Sequence, residues 1–381
     1  SDLCLMSEYQ LEIKQIVDYP RCRIYRQFVQ SLMEDRSIRL GGSSGLFYYT
    51  VLCSYANFRT SYKRIDGISY IIYPGEWLCR ISELAEWFRT RFQHQAISRL
   101  QDLQDRHLIT FSLLGRGRLV KFKITDWQKH NRVLDYNAPC AKDTGFFFLP
   151  VSTANELLSY GRCSEMDALL DLWVNTVYND EQVQGSDAGP VVYLRNGTGS
   201  PLLGYAGLAE RWGVSKATAG RYLNKLSSLD YISVISFPGA HGSVICMNNY
   251  LSTMFEVSDV MVDKEEIAML LHIGLTMPEI EEMMAEPVPG IGSEEEDGVS
   301  NPYVAFILQK VMEVLSVQGF PCFSCPKIQY KLLPLSCDCK EEVFCISDGI
   351  VGFKALLVIL CGKDRELFRF ELRLLPKGEK K

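Results

Sequence analysis

Two segments of the chain repeat one helical pattern, and this repeat constrains the fold more than any other feature of the sequence. The segments are residues 82–111 and 206–234. Five positions match between them: Leu84, Ala85, Glu86, Leu103 and Ile109 in the first, and Leu208, Ala209, Glu210, Leu226 and Ile232 in the second. The second segment is one residue shorter between its two predicted helices, where a turn absorbs the difference. Each segment therefore reads as a helix–turn–helix followed by a strand.

The elements around each repeat also come in the same order. The first repeat follows an aromatic helix, Leu46–Phe58, with a possible Ser N-cap, and a β-type run, Ile68–Tyr73. It is followed by a hairpin whose turn is Gly115-Arg116-Gly117-Arg118. The second repeat has the same neighbours, and this order is typical of a winged helix. We therefore expect a mainly α fold with small β-hairpins, consisting of a tandem winged helix and a small C-terminal α+β domain.

At 381 residues the chain is long enough for two to three domains. Residues 285–301 are acidic and rich in Pro and Gly, which is typical of a linker. Pro302 then stands at a favoured first helical position. The predicted segments are a first winged-helix domain with an N-terminal extension (1–125), a connector (126–145), a second winged-helix domain (146–254), a helical segment with the acidic linker (255–301) and the α+β domain (302–381).

The net charge of −6 is distributed unevenly along the chain. It is +6 over residues 1–125, −3 over 126–254 and −9 over 255–381. A basic region suits a polyanion, whereas an acidic one is repelled by it. We therefore expect double-stranded DNA as the partner of the winged helices. For the acidic C-terminal domain we expect a protein partner or a second copy of the chain.

The second helix of each repeat has an apolar face and a polar face. The spacing of Ala96, Leu100 and Leu103, and of Ala219, Leu223 and Leu226, predicts the inward face. On the polar face, amide and guanidinium groups suit base edges in the major groove. The candidate DNA-binding residues are Gln95 and Ser98 on the first helix, Lys216, Thr218, Arg221 and Lys225 on the second, and Arg116, Arg118, Lys121 and Lys123 in the basic first wing. Asp102 and Asp105 weaken the first helix, so its wing is expected to carry more of the binding.

Residues 46–124 resemble the N-terminal winged-helix domain of plasmid replication initiators from low-GC Gram-positive bacteria. The resemblance is carried by GLFYYTVLCSYANF, RIDGISYIIYPGEW and SELAEWF with RLQDLQDRHLI. The segment GLAERWGVSKATAGRYLNKLSSLDYI is similar to winged-helix regulators in general. The resemblance implies binding to an origin sequence and recruitment of the replication machinery. It also implies that the second helix and the wing touch DNA, at Gln95, Ser98, Arg116, Arg118, Thr218 and Arg221.

Other roles for such a chain remain open at the level of the sequence. A transcriptional regulator would use the same DNA-binding elements as an initiator. A protein–protein scaffold is the alternative of another class, because winged helices also serve as interaction modules. We expect no enzyme, because the five histidines are isolated and no phosphate-binding glycine loop occurs.

Only the last 60 residues contain a pattern of residues that could bind a metal ion. Cys322 and Cys325, with Cys337 and Cys339, could place four thiolates on one zinc ion, or they could be reduced cysteines in strands. The second pair is more tightly spaced than usual in such sites, so we expect no metal and no cofactor. Thirteen cysteines, mostly single, favour a reducing cytoplasm. We expect no signal peptide and no membrane contact, because no apolar run reaches the roughly 18–20 residues of a membrane helix.

Overall fold

The chain forms two compact units, and both helix–turn–helix repeats belong to one of them. In the computed structural model, the described residues are 8–16, 21–131, 145–177, 183, 191–192, 199–250, 273–276, 302–317, 327–335, 344–347, 350–362 and 365–376. The central unit is built from described residues between 21 and 250, and the terminal unit from residues 8–16 and those from 273 onward.

The first half of the central unit contains the first repeat. Its elements are β2 (Arg21–Tyr25), α1 (Arg26–Glu34), α2 (Gly45–Tyr55), β3 (Ser61–Ile65), β4 (Ile68–Ile72), β5 (Glu76–Arg80), α3 (Ile81–Trp87), α4 (Gln93–Asp105), β6 (Ile109–Leu114), β7 (Leu119–Ile124) and α5 (Trp127–His130). β7 pairs with both β5 and β6 in an antiparallel sheet, which places α3 and α4 between the first and second strands in sequence. β3 and β4 form an additional hairpin.

The second half of the central unit repeats this arrangement. Its elements are β8 (Phe146–Pro150), α6 (Val151–Ser159), α7 (Glu165–Val174), β9 (Thr176–Val177), β10 (Val191–Val192), α8 (Tyr205–Arg211), α9 (Lys216–Ser228), β11 (Ile232–Ser236) and β12 (Ser243–Met247). β12 pairs with β10 and β11, as β7 pairs with β5 and β6. The order helix, strand, two helices and hairpin is thus present twice, and in each half the last strand of the hairpin pairs with the strand that precedes the two helices.

One hydrophobic core serves both halves of the central unit. α2 is apolar on all sides and is buried from Gly45 to Ser54, as expected for a helix surrounded by other elements. The ring of Phe28 from α1 stacks on Trp173 from α7, with 4.0 Å between ring centroids. β2 pairs with β8 across the two halves, with Ile24 opposite Phe147. The two repeats therefore form one packed body.

The terminal unit is a sheet covered by a helix. Its elements are β1 (Glu8–Ile16), β13 (Ile273–Thr276), α10 (Pro302–Val317), β14 (Ile328–Pro334), β15 (Phe344–Ser347), β16 (Ile350–Cys361) and β17 (Arg365–Pro376). The strand order is β13-β1-β17-β16-β14, with β15 also paired to β16. Alternate residues of β16, such as Phe353, Ala355 and Leu357, are buried in one core with the apolar residues of α10.

The predicted fold class, mainly α with small hairpins, is wrong. The protein is a mixed α/β protein, because its described residues form five antiparallel sheets besides the helices. The difference has a physical cause, because strands gain their hydrogen bonds from partners that are distant in sequence. β1 pairs with β17, and β2 with β8. Single apolar runs do not reveal such partners.

The boundaries of the two compact units also differ from those of the five predicted segments. The N-terminal extension belongs to the terminal unit, because β1 lies between β13 and β17 in that sheet. The described start of the predicted connector, residues 126–131, is packed against the first repeat. Trp127 is buried there and would meet a Cβ atom placed on Gly75 at 2.7 Å.

One local prediction, the Ser N-cap of the aromatic helix, differs from the structure as well. Ser44 precedes α2 with a left-handed backbone (φ 48°), and its hydroxyl donates to the carbonyl oxygen of Leu40 at 3.1 Å instead of capping the helix.

Candidate nucleic-acid interface

α9 presents a polar face to solvent because its apolar residues recur every three or four positions. Ala219, Tyr222, Leu223 and Leu226 are buried. Lys216, Ala217, Arg221 and Asn224 are exposed on the other side. Ser215 is the N-cap, and its hydroxyl oxygen accepts the amide N–H of Thr218 at 3.1 Å. The outward face of α9 thus combines two cations, an amide and a small residue.

Two of the candidate residues on α9 have partners within the protein. The Thr218 hydroxyl lies 2.9 Å from the Ser215 hydroxyl, so it takes part in the helix cap. The Lys225 ammonium forms an ion pair with Glu165 at 3.2 Å, and Glu165 is buried. Lys216 and Arg221 form no ion pair with another described residue. They are the cations of α9 that remain available to a ligand.

α4 has the same inward face but a self-paired outward face. Ala96, Leu100 and Leu103 are buried. The Gln95 side-chain oxygen accepts the amide N–H of Phe92 at 3.2 Å, so this candidate acts at the start of the helix. Further along, Arg99 pairs with Asp102, and the Gln101 amide donates to Asp105 at 2.7 Å. Ser98 is exposed on this face.

The first wing is the tip of the β6–β7 hairpin. Residues 115–118 are exposed, and Arg116 has a left-handed backbone (φ 58°) at the turn. Arg118 and Lys123 are also exposed. Lys121 differs from them, because its ammonium pairs with Glu76 at 2.8 Å and donates to the carbonyl oxygen of Ile71 at 3.2 Å. Three of the four candidate cations of this wing therefore face solvent.

A buried carboxylate holds the second helix–turn–helix in place. Asp171 of α7 is fully buried and accepts two hydrogen bonds from the Arg211 guanidinium, at 2.8 and 2.7 Å. It also accepts the Trp212 indole N–H at 2.7 Å and the Asn175 amide at 2.8 Å. These bonds tie α7 to the end of α8. A buried charge that is paired in this way becomes strongly destabilising when its partners are removed.

A second buried carboxylate, Asp167, lies one turn earlier on α7. Its side chain accepts the amide N–H of Phe47 at 3.1 Å and that of Ser164 at 3.3 Å. Burial raises the pKa of Asp167 to about 6, although these hydrogen bonds act in the opposite direction. Asp167 therefore couples the start of α2 to the start of α7 and changes its charge in mildly acidic solution.

The sequence pattern did not identify Arg89, which lies in the turn between α3 and α4. Its guanidinium donates to the carbonyl oxygens of Met33, Asp35 and Ile38 at 3.1, 2.6 and 2.9 Å, and to that of Leu32. It thereby satisfies main-chain groups at the end of α1. Nothing in the local sequence distinguishes this arginine from a DNA-contacting one, because its partners lie more than 50 residues away in the chain.

The predicted zinc ligands Cys322, Cys325, Cys337 and Cys339 lie outside the described residues. Within the described ranges, no group of three or more His, Cys, Asp or Glu side chains could hold a metal ion. The described helices also include none that is long and apolar enough to cross a membrane. Burial raises the pKa of the Cys22 and Cys79 thiols to about 12.

The candidate interface thus consists of two helices with polar outward faces, α4 and α9, and one basic hairpin tip on a single packed body. Comparison of the chain with protein-family models, with curated proteins and with solved structures finds no match.

Proposed function

We propose that the protein binds double-stranded DNA in a sequence-specific manner, as a replication initiator or regulator of a plasmid or other mobile element. The observation that carries the proposal is the outward face of α9, where Arg221 and Asn224 are exposed on a helix whose opposite side is buried. Guanidinium and amide groups on such a helix suit base edges in the major groove. The resemblance of residues 46–124 to plasmid replication initiators supports the biological role.

The first repeat contributes to binding by another route in this proposal. Arg116, Arg118 and Lys123 extend from the hairpin tip and its strand, where they would meet phosphates or the minor groove. The polar groups of α4 are largely paired with one another. The proposal places the protein in the cytoplasm and assigns it a binding role and no catalysis.

A salt titration tests the proposal. Binding of the chain to a random duplex, followed by fluorescence anisotropy, should weaken linearly on a log–log plot as salt rises. Selection from a random DNA pool should then yield a duplex bound at least about 10³-fold more tightly than random DNA, as for specific DNA-binding proteins. Absence of binding to any duplex at low salt would contradict the proposal.

A second candidate function, a protein–protein scaffold, is favoured by an apolar patch on the β3–β4 hairpin. Tyr62 and Ile71 lie opposite each other on the two strands and are 77% and 42% exposed. Large exposed apolar side chains grouped in this way are typical of interaction surfaces. If the chain binds no DNA, substitution of both residues by Ser should reduce whatever protein association it shows.

A further inference from the structure

A cationic groove lies where the loop before α2 meets the second helix–turn–helix. It has a volume of about 490 Å³ and opens to solvent. Such a volume falls within the roughly 300–1,000 Å³ range of small-ligand sites. The groove is lined by Arg39, Gly41, Gly42, Arg162, Glu165, Arg221, Tyr222 and Lys225.

The charges that line the groove do not cancel. Its one carboxylate, Glu165, pairs with Lys225 at 3.2 Å and accepts the amide N–H of Arg39 at 3.0 Å. Arg39, Arg162 and Arg221 form no ion pair with any carboxylate of the described residues. Three arginines with no carboxylate partner among the described residues thus line one groove, an arrangement that suits a multiply charged oxyanion.

The groove is held in shape by main-chain contacts between residues of both halves of the central unit. The amide N–H of Ser43 donates to the carbonyl oxygen of Arg162 at 2.9 Å, and that of Cys163 donates to Trp212 at 2.9 Å. Gly42 has a left-handed φ of 107°, and a Cβ atom there would lie 2.5 Å from the Arg162 oxygen. Gly41 has open space around it. The backbone of Arg162 is therefore held against the loop before α2, and Gly42 permits this close approach.

We propose that this groove binds a phosphoryl group through Arg39 and Arg162, while Arg221, which also lines it, keeps its role as the base-reading residue of α9. The phosphate comes either from the DNA backbone next to α9 or from a free phosphorylated small molecule. The inference deepens the proposed function, because Arg221 belongs to α9, and it rests on that function only for the first source. Arg39 and Arg162 lie outside both helix–turn–helix segments, so their contribution can be separated from base reading by α9.

The test compares full-chain variants in two binding assays, with pyrophosphate and with a random duplex as the probes. Arg39→Ala and Arg162→Ala remove lining charges, and Arg36→Ala is the matched control, because Arg36 is exposed on the same loop but does not line the groove. Gly41→Asp adds a carboxylate where there is room for it, and Gly41→Asn is its neutral counterpart. This second pair keeps all three arginines.

If the phosphate belongs to DNA, Arg39→Ala, Arg162→Ala and Gly41→Asp weaken duplex binding roughly tenfold relative to their controls, and each Arg variant lowers the salt slope by about one. If it belongs to a free molecule, the same variants lose pyrophosphate binding seen by calorimetry, while duplex binding stays at the control level. The inference is overturned if these variants and their controls match in both assays. Failure of wild type to bind duplex refutes the proposed function alone, because the pyrophosphate assay still tests the groove.

Discussion

The two helix–turn–helix repeats share an element order but are stabilised and charged differently. In the first, the helix that supports the repeat is α2, which is apolar and packs through rings such as Tyr55, stacked on Trp87 at 3.8 Å. In the second, the supporting helix α7 carries Asp167 and Asp171 in its buried surface. The outward face of α4 is self-paired, whereas α9 keeps Lys216 and Arg221 unpaired among the described residues. The two repeats thus share the order of their helices and strands but differ in where their charged residues lie. The second has buried carboxylates and unpaired exposed cations, and the first has neither on the corresponding helices.

The largest expected effect concerns the hydrogen bonds of the buried Asp171 carboxylate, which tie α7 to the second repeat. Asp171→Ala should lower the free energy of unfolding by about 3–5 kcal/mol, because it leaves Arg211 and the Trp212 indole N–H without their partner. Urea unfolding followed by tryptophan fluorescence measures the change. Lys216→Ala, an exposed change on α9, should stay within about 0.5 kcal/mol of wild type. A loss below about 1 kcal/mol for Asp171→Ala would show that these hydrogen bonds are not what stabilises this repeat.

The second prediction uses the raised pKa of Asp167. The folded protein holds this proton more tightly than the unfolded chain, whose Asp has a pKa of 3.8. The resulting stabilisation is complete below about pH 4 and is lost as pH rises to about 6. At about 1.4 kcal/mol per unit of pKa shift, the loss is at most about 3 kcal/mol.

The measurement for this prediction is a difference between two pH profiles. The free energy of unfolding of wild type should decline between pH 4 and pH 6. In the Asp167→Asn variant this decline should be absent. Asp102→Asn, an exposed change on α4 of the first repeat, is the control and should follow the wild-type profile. Parallel profiles for wild type and Asp167→Asn would exclude Asp167 as the titrating group.

The third prediction concerns base reading by α9. Arg221→Ala should cost roughly 1–3 kcal/mol of binding to a selected duplex and much less with random DNA, because a guanidinium that reads a base carries sequence choice. Ser98→Ala, on the corresponding face of α4, should cost less than Arg221→Ala in the same anisotropy assay. Equal losses on selected and random DNA would mean that Arg221 contacts only the backbone.

The smallest expected effect distinguishes two cations of the first wing. Arg116→Ala should weaken binding to all sequences alike and lower the salt slope by about one, as for a phosphate contact. Lys121→Ala should change the slope less, because the Lys121 ammonium already pairs with Glu76. If the two variants have the same slope, the ion pair opens on binding and the wing uses all its cations.

The sequence predicted those parts of the fold that depend on short-range periodicity. The apolar spacing of α9 placed Ala219, Leu223 and Leu226 in the core, and residues 115–118 form the turn of the β6–β7 hairpin, as predicted. Pro302 is the first residue of α10, as expected. In each case the information lies within a window of some ten residues.

The remaining features depend on contacts between distant residues. The pairing of Lys121 with Glu76 and of Lys225 with Glu165 joins positions that no local pattern relates. Arg39 and Arg162 had no distinguishing sequence signal, since the groove they line exists only after the two halves of the central unit have packed together. The fold class was misjudged for the same reason, as β1 finds its partner at the far end of the chain.

Because of the position of β1, the terminal sheet can be completed only late in biosynthesis. β1 is made before the whole central unit, and β17, its partner over eight residue pairs, is made after it. At about 5–20 residues per second, tens of seconds separate the two strands on the ribosome. Throughout that interval the edge of β1 that pairs with β17 stays unpaired, although Tyr9, Leu11 and Ile13 are core residues of the finished sheet. The central unit can therefore finish folding before β1 has its full set of sheet partners.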